Sequence, residues 1–401
     1  MQRNRMHIKT AQSALSVAHL AVTEVVTLLA DEAADFIVIA GSPAEHFNRC
    51  AELLQQHYPE ATIVGCSSFG GVLSDQGHCV AESGASFAAW LLNDPNGSYG
   101  VALQTFTNSD PEQVAKQALD DALNAANRCG ELPALIWMHS TPGHEEQILA
   151  ALEQELGGSV PVIGGAAAPN LGNGAFSVFG ASQSSSAGLA LAVLFPSGRI
   201  GYSFHSGCAM EKPLGTVTKA EGRLVQEIDG RPALQVYQHA VGLPIQQAIE
   251  QQCWTQIPVG RVIGEHQNMP VFSLALPVQV IDQSIEFLAT FSTGEPIYLM
   301  RGTEQSLRGR SKRVLASAKQ MTPEGRLGGQ AAGALVVYCA CCKQVVASDL
   351  DEVHRSMAGE LGSDTPFITL FTYGEQGPLL ESKNIHGNLM IAALVFYTAG
   401  D

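Results

Sequence analysis

The sequence predicts an α/β protein of two mixed modules, each with a largely antiparallel central sheet flanked by helices. Three observations carry this. The chain has 401 residues, more than one ordinary core accommodates. Hydrophobic residues make up 46% and charged residues only 15%, enough apolar material for well-buried cores. Short apolar runs alternate with amphipathic segments early in the chain, and short strands follow one another later.

The elements follow in order. Residues 11–30 are apolar but are interrupted by His19, Thr23, Glu24 and Thr27, which a signal peptide would not tolerate. Leu15, Ala18, Val22, Val25 and Leu29 fall at helical spacing, which predicts an amphipathic helix. Next come a strand over 36–40, a helix over 44–57 and a strand over 61–64 that enters the turn Gly65–Gly71. Strands over 85–92 and 100–106 precede a helix over 111–129, a strand over 134–139 and a helix over 145–156. From residue 160 short strands dominate, near 160–163, 176–179, 187–195, 200–204 and 224–228. A helix begins at Pro232, a residue suited to a first helical turn. The last third returns to mixed grammar, with helices over 303–320 and 350–361 and strands near 271–276, 297–300, 334–339, 367–372 and 389–397. No short repeat is legible.

Charge narrows the partners. Lys plus Arg number 22 against 38 acids, a formal charge of −16. Such a surface repels phosphate backbones and anionic lipid heads, so neither nucleic acid nor membrane is an expected partner. The basic cluster Arg308, Arg310, Lys312 and Arg313 reads as a solvated helix face. Nine cysteines, an odd number, read as reduced thiols of a cytoplasmic protein.

Several motifs suggest chemistry. The turn after residue 64 contains Gly65, Cys66, Ser67 and Ser68, and it matches neither a phosphate-binding lysine loop nor a nucleophile elbow. A backbone nest for a small anionic group is its functional reading, and plain turn geometry its structural one. A hydrolase using Cys66 or Ser67 lacks a base paired to it by motif. Gly164 and Gly165 allow close approach, either to a ligand or to a neighbouring strand. Cys339, Cys341 and Cys342 form a dense thiol cluster, with Cys339 and Cys342 at C-x-x-C spacing for a metal or an oxidant switch, against buried inert cysteine. His239, on an apolar helix, and His205, at a strand end, are candidate axial ligands for haem b, against satisfied core histidines.

Six segments together resemble one family: VGCSSFGG (64–71), PVIGGAAAPN (161–170), VTKAEGRLVQEIDGRPAL (217–234), GEPIYLMRG (294–302), GALVVYCA (333–340) and TYGEQGP (372–378). They are similar to the FIST family, with an N-terminal module over 1–230 and a C-terminal module over 231–401. The resemblance implies an intracellular sensory protein for small ligands such as amino acids. It also implies, from one branch of the family, control of a partner enzyme in trans, a histidine kinase or a cyclic-di-GMP enzyme. One branch, the NosP proteins, implies haem and nitric oxide. Many members carry Cys-x-x-Arg where this chain has Cys339-Ala340-Cys341-Cys342. His386 belongs to the family's general pattern and is expected to hold structure or a shared polar site. The expectation is therefore a sensor without a catalytic site of its own, most concretely a haem-based nitric oxide sensor, with an amino acid or similar metabolite as the alternative ligand.

Overall fold

The computed structural model describes residues 6–30, 32–107, 109–170, 174–250, 254–266, 268–320, 331–379 and 383–398. The fold is mixed α/β, with mostly antiparallel strand pairing, as the sequence predicts. Its organising feature is a topology used three times. In the first unit the strands lie in the order His7–Ser13, Ser86–Asn93, Phe36–Ser42, Thr62–Ser67. The first two junctions are antiparallel and the last is parallel. The second unit repeats this with Ser98–Thr105, Gly188–Phe195, Leu135–Ser140 and Val162–Ala166. The third repeats it with Ile200–Ser206, Met390–Tyr397, Ala331–Cys339 and Phe367–Leu379.

Hairpins pass from unit to unit in a cycle. The first unit's hairpin, Val72–Ser74 with Gly77–Cys79, pairs with Ile368–Leu370 of the third. The second unit's hairpin, Val178–Gly180 with Gln183–Ser185, pairs with Gly65 and Cys66 of the first. The third unit's strand continues past Thr372, so that Tyr373, Glu375 and Gln376 pair with Ala166, Gly165 and Gly164 of the second. The strand Lys383–Gly387 completes that last hairpin.

Burial follows the pleat, in which successive side chains point to opposite faces. In Phe36–Ser42, Ile37 and Ile39 pack under the first unit's helices, Ala18–Leu29 and Ala44–His57, while Val38 and Ala40 face the centre. In Leu135–Ser140, Ile136 and Met138 pack under helices Pro111–Ala125 and Glu145–Leu156, while Leu135 and Trp137 face the centre. Strands buried on both faces read as continuous apolar runs, which is why FIVIA and LIWMH show no alternation. The inner faces of all three units share one central core.

The third unit carries an insertion. Between its first strand and the helix Arg310–Gln320 lies an eight-stranded sheet built from strands between Ala209 and Arg301. It has its own core around Val217, Tyr237, Val259 and Phe287. Asn388 fastens it to the body: its N–H donates to Leu274 O and its Oδ1 accepts from Leu276 N–H.

One sequence expectation changes. Residues 11–13 are strand, and the N-terminal helix begins only at Ala18, with Leu15 exposed ahead of it. The 230/231 boundary falls in the turn between Leu224–Ile228 and Arg231–Pro232, two strands paired within the inserted sheet. The threefold repeat exists in topology without a repeated sequence motif.

Candidate ligand-binding cavity

A cavity of about 370 Å³ lies where the three units and the inserted sheet meet. Phe69 enters it from the first unit, and Pro142 and Glu145 from the second. Arg223, Val278 and Leu288 come from the inserted sheet. Cys341, Tyr373, Gly374, His386 and Asn388 come from the third unit. The walls are mainly apolar with a few convergent polar groups, and the volume sits at the small end of the range for small-molecule sites, roughly 300–1,000 Å³.

Local structure places each polar group. Glu145 and Glu146 open the helix Glu145–Leu156, where acids complement the positive helix end. Glu145 is buried, and its Oε1 accepts from Gly143 N–H at 3.0 Å. Arg223 follows Gly222, whose φ of +58° turns the chain between Ala209–Glu221 and Leu224–Ile228. Its guanidinium donates to Glu145 Oε2 at 2.8 Å and Glu146 Oε2 at 2.7 Å. Glu146 Oε1 also accepts from Thr290 N–H at 3.1 Å and pairs with His386 Nδ1 at 3.0 Å. Burial opposes ionisation of Glu146, but the hydrogen bond from His386 and the Arg223 guanidinium outweigh it, holding the carboxyl well below the usual range.

His386 is the distinctive group. Its side chain is 2% exposed, and its Nε2 finds no hydrogen-bond partner among the described residues. A buried polar atom left unpaired is costly and calls for a partner. Gly374, with φ of +49°, packs closely beside it: a Cβ there would stand 2.8 Å from His386 Nε2 and 3.3 Å from Glu145 Oε1. Glu145, Glu146 and His386 are also the one group of three potential metal ligands with donor atoms mutually within 4.8 Å among the described residues. Arg223 already neutralises part of it.

The thiol cluster backs this cavity. Cys339 closes its strand and precedes the short helix Ala340–Val345, which carries Cys341 and Cys342. Burial works against a Cys339 thiolate, yet the Cys341 and Cys342 thiols and their backbone N–H groups donate to it and bring it well below its ordinary value. Cys341 is correspondingly raised, as the donor to Cys339 and by burial. Glu375 behind them is fully buried and raised by burial and by Cys339. Among the described residues these thiols are not a group of three donors within 4.8 Å; Cys339 instead accepts from Cys341 and Cys342.

The remaining predicted residues are placed differently. The Ser67, Ser68 and Phe69 N–H groups donate to Ser177 O, Gly41 O and Phe371 O, so the donors of an anion nest are already taken. Cys66 is fully buried, which pushes its thiol up, and Ser67 Oγ accepts from Ser177 N–H, so neither is an accessible nucleophile. A Cβ on Gly65 would meet Ile39 O at 1.9 Å, and one on Gly164 would meet Met138 O at 1.9 Å. The two glycines occupy equivalent places in their units and serve strand packing. Gly165 likewise abuts Thr372, with which its Cβ would clash, so the glycines line no cleft.

His239 is exposed on helix Ala233–Val241, whose buried face is Ala233 and Tyr237, so it does not fit an axial haem ligand. His205 does line a groove of about 560 Å³ with His266, Tyr202 and Phe204, and burial and Arg310 bring its imidazole down to about 4. It is exposed, and an imidazole lowered that far is neutral near neutral pH, as a haem ligand must be. Of the basic cluster, Arg308 pairs with Glu304, Asp349 and Glu352. It borders a larger surface cleft of about 760 Å³, which Glu352 also lines. Arg310 is half-buried near Cys208 and Cys342.

Sequence reasoning missed Glu146, Arg223 and Gly374 as site residues. The available signal was that four of the six family-like segments, those holding Phe69, Arg223, Ala340, and Tyr373 with Gly374, converge on this cavity.

The FIST N domain matches residues 35–231 and the FIST C domain residues 233–378. No curated protein matches the chain. Among solved structures, a cyanuric acid hydrolase from A. caulinodans aligns with 98% of this chain and 99% of its own, at 9% identity and a TM-score of 0.38. A second, titled "Cyanuric acid hydrolase: evolutionary innovation by structural concatenation", aligns with 98% and 100%, at 8% identity and a TM-score of 0.33. Likeness at that level says nothing about activity. No helix among the described residues is long and apolar enough to cross a membrane. With both domains matched in sequence along most of its length, the chain belongs to the FIST family, whose domains are sensory and bind small ligands.

Proposed function

We propose that the protein is a sensor whose small ligand occupies the cavity around His386 and whose occupancy is passed to a separate signalling enzyme. The observation that carries this is the buried, unpartnered His386 Nε2 facing a cavity to which every part of the fold contributes a wall. Glu146 links the inserted sheet, through Arg223 and Thr290 N–H, to the third unit, through His386. A ligand bonded to His386 bears directly on that link. Differential contact in two packings of the inserted sheet is what a ligand needs to shift a population. The output partner is a histidine kinase or a cyclic-di-GMP enzyme, controlled in trans.

The test is a thermal-shift screen of pooled metabolites against the wild type and Leu288→Phe, which adds bulk inside the cavity. A metabolite that raises the melting temperature of the wild type but not of Leu288→Phe supports the reading. Equal shifts in both proteins would put the ligand elsewhere. The second reading, haem at His205, is favoured by its neutral imidazole in an aromatic-lined groove, and haemin titration tests it.

A further inference from the structure

We infer that Cys339 and Cys342 form a reversible dithiol–disulfide pair whose state sets one wall of the cavity described above. This rests on the reading of that cavity as the sensory site and deepens it, by making the site responsive to peroxide-class oxidants. Three thiols fall within four residues where the strand Ala331–Cys339 gives way to the helix Ala340–Val345. Cys339 is extended, with φ of −55° and ψ of 128°, and the chain turns into helix directly after it. Residues three apart across a helical turn are neighbours, with Cβ atoms about 5–6 Å apart, whereas residues two apart face different ways. The turn therefore brings Cys342 over Cys339 and leaves Cys341 directed to the cavity that it lines. The thiols are already in contact, since Cys342 and Cys341 both donate to the Cys339 sulfur.

A peroxide is small enough to enter the cavity and meets the cluster at Cys341, with Cys339 behind it. The Cys339 sulfur attacks one peroxide oxygen, the O–O bond breaks, and the leaving hydroxide takes up the thiol proton as water. Cys342 then attacks the sulfenic sulfur: an S–S bond forms, the S–O bond breaks, and the hydroxyl leaves with the Cys342 proton as a second water. Two thiols lose two electrons and one peroxide gains them. Closing the bridge draws the Cβ atoms to about 3.8 Å, about 1–2 Å nearer than the helical spacing. That movement falls in the helix that supplies Ala340, Cys341 and Gln344 to the cavity. It also takes into the bridge the sulfur to which Cys341 donates.

The test uses the full chain, treated with hydrogen peroxide, then unfolded and alkylated with iodoacetamide. Trypsin releases all three cysteines in one peptide, residues 327–343. In the oxidised wild type this peptide should carry one carbamidomethyl group, and three after dithiothreitol. Cys341→Ser should keep the bridge and Cys342→Ser should lose it. Amide hydrogen exchange over Ala340–Val345 should slow in the oxidised wild type and stay at the reduced rate in Cys342→Ser. Three carbamidomethyl groups after peroxide, oxygen addition that dithiothreitol does not reverse, or a link to the peptide holding Cys208 would overturn the proposal. So would a bridge that persists in Cys342→Ser, or exchange that oxidation leaves unchanged. If Cys342→Ser does not fold, the wild-type peptide and its exchange decide alone. The metabolite screen with Leu288→Phe, run in reductant, tests the sensory reading with every thiol reduced, so the two ideas fail separately.

Discussion

His386 Nδ1 lies 3.0 Å from Glu146 Oε1, a contact that joins residues 240 positions apart and fastens strand Lys383–Gly387 to helix Glu145–Leu156. Because Glu146 also receives Arg223 and Thr290 N–H, one carboxylate holds together the second unit, the third unit and the inserted sheet. The folded-state value of Glu146 is depressed, so its contribution is present above the unfolded carboxylate range and is lost as pH falls below it. Glu146→Gln should cost about 1–3 kcal/mol at neutral pH and should flatten the acid limb of the stability profile. Urea unfolding across a pH series checks both, and an unchanged acid limb would refute the assignment.

Lys343 provides a second pH dependence of the same sign, set at higher pH. Its ammonium is buried, donates to Phe69 O and Gly70 O, and lies 4.2 Å from the Phe371 ring centroid. Burial lowers it to about 7 from 10.5. Between those values the unfolded chain binds a proton that the native state lacks, so stability rises with pH across that window. Lys343→Met should abolish the rise and loosen the turn Phe69–Gly71. Equilibrium unfolding between neutral and alkaline pH measures it; the same rise persisting in the variant would assign it to another group.

The threefold topology predicts equivalent behaviour at Gly65 and Gly164. Each lies in the last strand of its unit's order, Thr62–Ser67 or Val162–Ala166, and each would aim a Cβ at the carbonyl of the neighbouring parallel strand. Gly65→Ala and Gly164→Ala should each cost about 1–3 kcal/mol through overpacking. Ligand affinity in the folded fraction should be unaltered. A selective loss of affinity in either variant would reinstate these glycines as part of a binding cleft.

How much of this was legible depends on locality. Helices Ala44–His57 and Glu145–Leu156 announced themselves through periodicity, and Phe36–Ser42 and Leu135–Ser140 through apolar runs buried on both faces. The strand Ala209–Glu221 did not. It is largely exposed, and shifts in register near Met210–Lys212 and Pro213–Gly215 break its alternation. The hairpin Val72–Ser74 with Gly77–Cys79 is too short to carry a pattern. At the site, Glu146 reads as an ordinary first-turn acid and Arg223 as a turn residue. Only the tertiary fold shows that both meet His386, and the glycine that mattered was Gly374, not Gly65 or Gly165.

Haemin titration separates the two histidines that sequence reasoning grouped together. His239 projects from an exposed helix face, whereas His205 lines a groove with Tyr202 and Phe204. Any Soret band obtained on reconstitution should survive His239→Ala and be lost or shifted in His205→Ala. His239→Ala should also change stability by no more than about 0.5 kcal/mol, as surface substitutions do. A band lost in His239→Ala alone would contradict the placement of both residues.

The thiol cluster makes a prediction that needs no ligand. Cys339 is fully buried, where a thiolate is disfavoured by desolvation, and its ionisation depends on donors from Cys341, Cys342 and the first turn of Ala340–Val345. Cys66 is buried without such donors and Cys79 has a single backbone bond from Phe87, and burial pushes both thiols up. The folded protein should therefore show thiolate ultraviolet absorption well below the ordinary cysteine value, and Cys339→Ser should remove it. Cys341→Ala and Cys342→Ala should each move its titration upward, and the pair together should move it further, because two S–H donors act on one sulfur. Cys66→Ser should leave the titration unchanged. Thiolate absorption that persists in Cys339→Ser, or disappears in Cys66→Ser, would show that the charge lies on a different sulfur. The cluster would then be a set of neutral thiols packed behind the cavity.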